Sequence, residues 1–344
     1  MKMHLAIFTP LLIALLFASA LLPAKAEKET LHIYSSRHYN TDEKLYSNFT
    51  KETGIEIKRV DGKGDALIAR LQQEGSLSQA DLFITVDSGR LWRAEQADLF
   101  DAVNSDILNT KIPDNLKHPE GMWFGFSTRA RVLVYNADKI EEGTLTSYQD
   151  LADPKWNKRI CVRSSGNIYN QSLLASMIAL HGPDKAQSWA KGVLNNLARK
   201  PQGGDTDQIK AVAAGICDIA LVNSYYFYRL QRSDKPEDAA IVKTLKVVYP
   251  DQGSKGTHVN VSGAGVLKNA KNKEAAIKFL EYLTSKQAQS YFANGNNEYP
   301  VIENVEVNEI VNKNKNFIAQ DINVSMFGKH QKQAKMIFDT IEFP

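Results

Sequence analysis

Tyr225 and Tyr226 stand side by side in Val222-Asn223-Ser224-Tyr225-Tyr226-Phe227-Tyr228-Arg229. The apolar run Ile219-Ala220-Leu221 before them reads as a buried strand. The residues after them read as a helix that Asn223 or Ser224 can cap. Both tyrosines then fall in a first helical turn, where unpaired backbone N–H groups and the helix dipole favour negative charge. A phenol, with a reference pKa of about 10, is a poor anion at neutral pH. A highly charged cation reverses that, because metal binding drives ligand deprotonation. The pair therefore suggests a hard trivalent cation, with ferric iron the common biological case. The same stretch also reads as an aromatic wedge between helix and sheet, and the choice turns on what other segments bring to it.

Two further strand-to-helix corners carry comparable residues. Leu31-His32-Ile33-Tyr34 alternates as a strand should, and His38 and Tyr39 lie in the loop before a helix that Asn40 and Glu43 open as a capping box. Ligands collect at such loops in open α/β sheets. Ser164-Ser165-Gly166-Asn167-Ile168-Tyr169-Asn170 forms the third corner, with Tyr169 just inside its helix.

The elements that must position these corners read as an α/β protein. A βαβαβ run covers Leu31 to Ala97: strands at Leu31–Tyr34, Ile55–Val60 and Asp81–Val86, and helices from Asn40, Asp65 and Ser88. Trp123 to Tyr135 is a long extended stretch that crosses to a second lobe, and Thr257 to Val266 crosses back. The pattern predicts a two-lobed, type II periplasmic binding protein fold with two crossing hinge segments, closing on a ligand between its lobes. The expected division is a first lobe of 27–127 and 262–344 and a second of 128–261. Helices are expected over Asp184–Leu197, Ala275–Thr284 and Lys286–Ala293, with a last one near Phe327–Thr340.

Residues 1–26 read as a signal peptide: an apolar run from Leu11 to Leu22, too short to span a bilayer, ends in Ala24-Lys25-Ala26. The mature chain is expected in a periplasm. Forty-two Lys and Arg against 39 Asp and Glu, with no basic tract, give no sign of nucleic-acid binding. The two cysteines, Cys161 and Cys217, each open a predicted strand, and an oxidising compartment favours a disulfide between them.

The chain resembles the ferric-iron-binding periplasmic proteins of ABC uptake systems, in the cyanobacterial-type branch that holds iron through several tyrosines and one histidine. The resemblance spans the mature chain. It is carried by Tyr34-Ser35-Ser36-Arg37-His38-Tyr39-Asn40, Ser127-Thr128-Arg129-Ala130-Arg131-Val132, Arg163 to Ser172, Gln202-Gly203-Gly204-Asp205, Asn223 to Tyr226 and Glu298-Tyr299-Pro300-Val301. It implies that His38, Tyr39, Tyr169, Tyr225 and Tyr226 surround an Fe3+ ion; the same residues could hold Fe2+ under reducing conditions. It also implies an inner-membrane ABC permease as partner and a monomer as the working form. Four phenolates around Fe3+ leave one net negative charge, which is costly when buried. Arg129 and Arg229 are suited to balance it as groups behind the ligands.

Most of the 13 tyrosines must be structural. Tyr299, before Pro300, is a further candidate for lining the cleft. His118, His181, His258 and His330 lack a Cys or carboxylate partner at metal-ligand spacing and read as surface residues. An enzyme is not expected: there is no Gly-x-Ser-x-Gly elbow, no His-Glu-x-x-His and no phosphate loop, and Asp205 and Asp207 read as a helix cap. The rival reading is a binder of the same fold for an organic or inorganic anion, a sugar or a polyamine. Such sites would want Arg and Ser, or Asp, Glu and Trp, where this chain has Tyr and His.

Overall fold

A computed structural model describes residues 29–37 and 40–344; the expected signal peptide, His38 and Tyr39 lie outside the described residues. Nine strands follow in chain order: β1 (Thr30–Ser35), β2 (Glu56–Asp61), β3 (Leu82–Val86), β4 (Phe124–Asn136), β5 (Ile160–Cys161), β6 (Ile219–Asn223), β7 (Leu245–Val248), β8 (Val259–Val266) and β9 (Tyr299–Pro300). The helices are α1 (Glu43–Thr53), α2 (Gly64–Glu74), α3 (Ser88–Gln96), α4 (Asp106–Lys111), α5 (Ile168–His181), α6 (Pro183–Asn195), α7 (Asp205–Ala213) and α8 (Ser224–Gln231). They continue with α9 (Pro236–Val242), α10 (Lys273–Leu283), α11 (Lys286–Asn296), α12 (Glu309–Asn314), α13 (Ser325–Lys329) and α14 (Gln331–Thr340).

The sheet order is β2-β1-β3-β8-β4-β6-β5, with β7 and β9 also paired to β4. β1 runs parallel to β2 and β3, as the βαβαβ reading requires. β4 is the long crossing strand, and all 13 of its residues are buried. Its first half pairs antiparallel with β8 and β9, its second half with β6 and β7. Its side chains alternate between cores: Ala130, Val132 and Val134 pack into one cluster, Leu133 and Tyr135 into the other. β8 is the return crossing, so both predicted crossings are hydrogen-bonded neighbours. The disulfide joins Cys161 on β5 to Cys217, just before the adjacent β6.

The carboxyl-terminal segment departs from expectation in its helices. The predicted last helix is two helices, α13 and α14, separated at His330. They also reach the 128–261 half: α13 packs on both α3 and α5, and α14 on α5 and α6. His258, expected at the surface, is buried where the chain enters β8, its ring 4.6 Å from that of Phe327. Burial pushes its pKa down to about 3. His118 also has a carboxylate neighbour the sequence spacing hid, with Nε2 3.3 Å from Glu95. Among the described residues no helix is long and apolar enough to cross a membrane.

Candidate metal centre

Two helix starts bring three phenols to one place. α8 begins directly after β6, so Tyr225 and Tyr226 occupy its first turn, and their rings lie 4.3 Å apart. α5 begins after Asn167, whose side-chain oxygen accepts the Tyr169 backbone N–H at 3.1 Å. Tyr169 thereby takes the same helical position as Tyr225, and their hydroxyl oxygens approach to 3.4 Å. Tyr225 is buried, whereas Tyr169 and Tyr226 are partly exposed. Among the described residues no three His, Cys, Asp or Glu side chains group as metal ligands. Hard oxygen donors at two helix N-termini are what this corner offers a cation.

Asn223 is not the side-chain cap the sequence suggested: as the residue before α8 it makes no capping hydrogen bond. Its amide oxygen instead accepts from Arg131 Nη1 at 3.2 Å, and its backbone N–H donates to Asp205 Oδ2 at 2.8 Å. Arg131 also donates to Asp205 Oδ2 and to Asn170 Oδ1, both at 2.8 Å. One guanidinium thus ties together the starts of α5, α7 and α8. Asp205 serves this tie, while Asp207 alone makes the helix cap by accepting the Gly204 N–H.

Positive charge surrounds the phenols. The guanidinium carbons of Arg129, Arg131 and Arg163 lie 5.6, 5.8 and 5.4 Å from the Tyr169 ring centre. Arg229 lies 5.8 Å from the Tyr225 ring and 5.5 Å from the Tyr226 ring. Cations this close to an aromatic face are attracted to it and supply the charge a phenolate needs. The two arginines singled out in the sequence differ in setting. Arg129 is buried on β4, and Arg229 is on the exposed side of α8. Burial alone would push the Arg129 pKa down, but Asp87, Tyr169, Tyr225 and Glu298 outweigh it and hold the pKa above its ordinary value.

A line of buried charges runs from the end of β1 to this corner. Arg37 donates to Asp42 at 2.9 Å and to Glu298 at 3.0 Å. Ser262 donates to Glu298 at 3.0 Å and accepts from Arg129 at 3.3 Å. Arg129 lies 3.5 Å from Asp87, and Asp87 accepts the Ser172 hydroxyl at 2.6 Å. Sequence reasoning gives Asp87, Arg131 and Glu298 no such role and reads Asp205 only as a helix cap. Arg129 and Arg131, two apart in an apolar strand, share one face, and that spacing was a usable signal. Asp87-Ser88 at the carboxyl end of β3 was another. Glu298 had no local signal, since its partners are distant in sequence. Tyr299, the other cleft candidate, is buried instead in a ring of three hydroxyls with Tyr228 and Tyr249.

Comparison with known proteins is consistent with this geometry. Residues 78–323 match the family model for bacterial extracellular solute-binding proteins. The chain is 48% identical over 332 residues to iron uptake protein A2 of Synechocystis sp. PCC 6803, covering 96% of this chain and 94% of that protein. The solved structure of Trichodesmium FutA in complex with iron and citrate ligands shares 52% identity and a TM-score of 0.89, over 92% of this chain and all of that one. The ferric binding protein from Campylobacter jejuni shares 38% identity and a TM-score of 0.87, over 91% of this chain and all of that one. The architecture is the two-lobed type II fold that the crossing segments predicted.

Proposed function

From the premise that the chain belongs to the bacterial extracellular solute-binding protein family, and within it to the periplasmic ferric-iron-binding proteins of iron uptake systems, we propose how it works. It captures Fe3+ through the phenolates of Tyr169, Tyr225 and Tyr226, adds Tyr39 and His38 from the first lobe on closure, and delivers the ion to an inner-membrane ABC permease. It acts as a monomer in the periplasm, on no nucleic acid, and performs no chemistry on its cargo. Arg129 and Arg229 balance the phenolate charge. Fe2+ gains less from anionic phenolates and is the weaker cargo, so reduction or lobe opening releases the ion. The lobe division at 127/128 and 261/262 is part of this proposal. The helices α13 and α14 fall on the first-lobe side of it by sequence, yet they pack on the helix of Tyr169.

The observation that carries the reading is the 3.4 Å approach of the Tyr169 and Tyr225 hydroxyls at two helix N-termini ringed by guanidiniums. The rival, an organic-anion binder, would want those guanidiniums for its ligand. Arg131 and Arg129 already face Asp205 and Asp87. Phenolate bound to Fe3+ absorbs visible light, so purified protein loaded with ferric citrate should turn orange to purple. Tyr225→Phe combined with Tyr226→Phe should abolish most of the colour. A colourless protein without iron by elemental analysis overturns the proposal.

A further inference from the structure

Asp87 ends β3 and precedes α3 with φ 82° and ψ 122°, a left-handed backbone that residues with a side chain rarely adopt. Such strain costs on the order of 1–3 kcal/mol and persists where the surroundings demand it. Capping α3 does not demand it. Ser105, Asn167, Ser285 and Asn308 cap their helices through the side chain with negative φ. Among the described helices Asp87 is the only non-glycine residue before the first turn with positive φ.

The strained backbone aims a wholly buried carboxylate across to the other half of the molecule. Oδ1 accepts the Gly89 N–H at 3.0 Å and, at 2.6 Å, the hydroxyl of Ser172, itself wholly buried. Ser172 is on α5 three residues after Tyr169, one turn along the same helix face. Oδ2 lies 3.5 Å from Arg129 Nη2 with no hydrogen bond of its own, and the same guanidinium faces the Tyr169 ring. The Asp87 backbone N–H meanwhile donates to Val261 on the return crossing at 2.9 Å. One residue therefore touches the crossing, the helix of Tyr169 and the cation over its ring.

We infer that Asp87 is a positioning residue, a strut that holds α5 and Tyr169 in the closed arrangement and so sets how long iron is retained. The inference rests on the iron reading above and deepens it. The strain is the cost of directing the carboxylate at Ser172 rather than at solvent. A residue kept only to cap α3 would not be strained at this point, because the other side-chain caps serve their helices with negative φ.

The test uses the full mature chain with two variants, Ser172→Ala and Asp87→Gly. Each is loaded with ferric citrate, stripped with excess EDTA and followed at the visible band, and the iron-free melting temperature is measured alongside. Loss of a hydrogen bond to a charged group should speed iron loss roughly tenfold in Ser172→Ala. Asp87→Gly should lose iron at least as fast, and its iron-free form should melt lower, because relief of strain only partly offsets the loss of the buried counter-charge of Arg129; Ser172→Ala keeps that pair and should release iron faster with little melting loss. By X-ray scattering, iron-loaded Asp87→Gly should fail to contract to the loaded wild-type radius. Release within twofold of wild type in both variants overturns the strut. So does faster release in Ser172→Ala accompanied by a melting loss as large as that of Asp87→Gly. If wild type itself takes up no iron, it is the proposed function that fails; if wild type binds and the variants release normally, only the strut fails.

Discussion

Asp205→Asn tests whether Arg131 is the tie that holds the tyrosine corners together. Both side chains are almost wholly buried, at 1% and 0% exposure, and Arg131 is 2.8 Å from Asp205 Oδ2. Removing one partner of a buried ion pair leaves an uncompensated charge and costs about 3–5 kcal/mol. The lower end, ~3 kcal/mol, applies here, because asparagine keeps an oxygen that can accept from Arg131 and from the Asn223 N–H. At ~1.5 °C per kcal/mol for a chain of this length, the iron-free protein should melt roughly 4–5 °C lower by calorimetry. Arg131→Met should cost a similar amount, and the double variant should cost less than the sum of the two, since neither charge is then left alone. The iron band should weaken in Asp205→Asn as well, because Asp205 fixes the peptide N–H of Asn223, two residues before Tyr225. A melting change within about 1 °C, or a cycle in which the two costs simply add, would refute the reasoning.

Two further outcomes are expected. Asp251 is half buried, and burial raises its pKa to about 6 from 3.8. The folded state thus binds its proton more tightly, and stability falls as pH rises through the window from about 4 to about 6. Asp251→Asn should therefore stabilise the protein at pH 7 by about 1–2 kcal/mol after discounting for partial exposure. The gain should vanish near pH 4 in paired thermal melts, and a gain independent of pH would count against the burial argument. Reduction of the Cys161–Cys217 disulfide, which spans a sequence separation of 56, should lower stability by up to about 4 kcal/mol on chain-entropy grounds. Denaturant unfolding with and without dithiothreitol measures it, and coincident curves would show that the bridge constrains little.

The sequence made the corners legible because they obey local rules. A strand that ends, a capping residue and a helix that begins are short-range signals, and they put Tyr169 and Tyr225 inside helix starts, where the structure has them. The crossings were legible because β4 is a long extended run with no turn signal to break it, even with two arginines in it. The groups behind the ligands were mostly illegible. Arg131 meets Asp205 across 74 residues, and Arg37 meets Glu298 across 261. No periodicity in the chain carries contacts of that length. His258 failed for a related reason: a lone histidine in a polar stretch reads as solvated until the fold lays Phe327 over it. The packing of the carboxyl-terminal helices on α5 was not legible, because amphipathic pattern fixes a helix's buried face but not which element supplies its partner.

The charge layout bears on how a captured ion is let go. Behind the phenols, the buried guanidiniums of Arg37, Arg129 and Arg131 already face the carboxylates of Asp42, Glu298, Asp87 and Asp205. Nearer the solvent, Arg163 is 24% exposed and 3.8 Å from Asp205, and Arg229 lies on the exposed side of α8. Solvent screens charges at such a rim far more than charges in the interior. If four phenolates hold Fe3+ as proposed, the centre carries one net negative charge, and reduction to Fe2+ doubles it. The buried pairs cannot take up the extra charge without giving up their own partners, and the rim offsets it only weakly. An added electron therefore falls on a site whose interior neutralisation is already committed. That is a physical reason for the hold to loosen on reduction, without any requirement that the lobes open first.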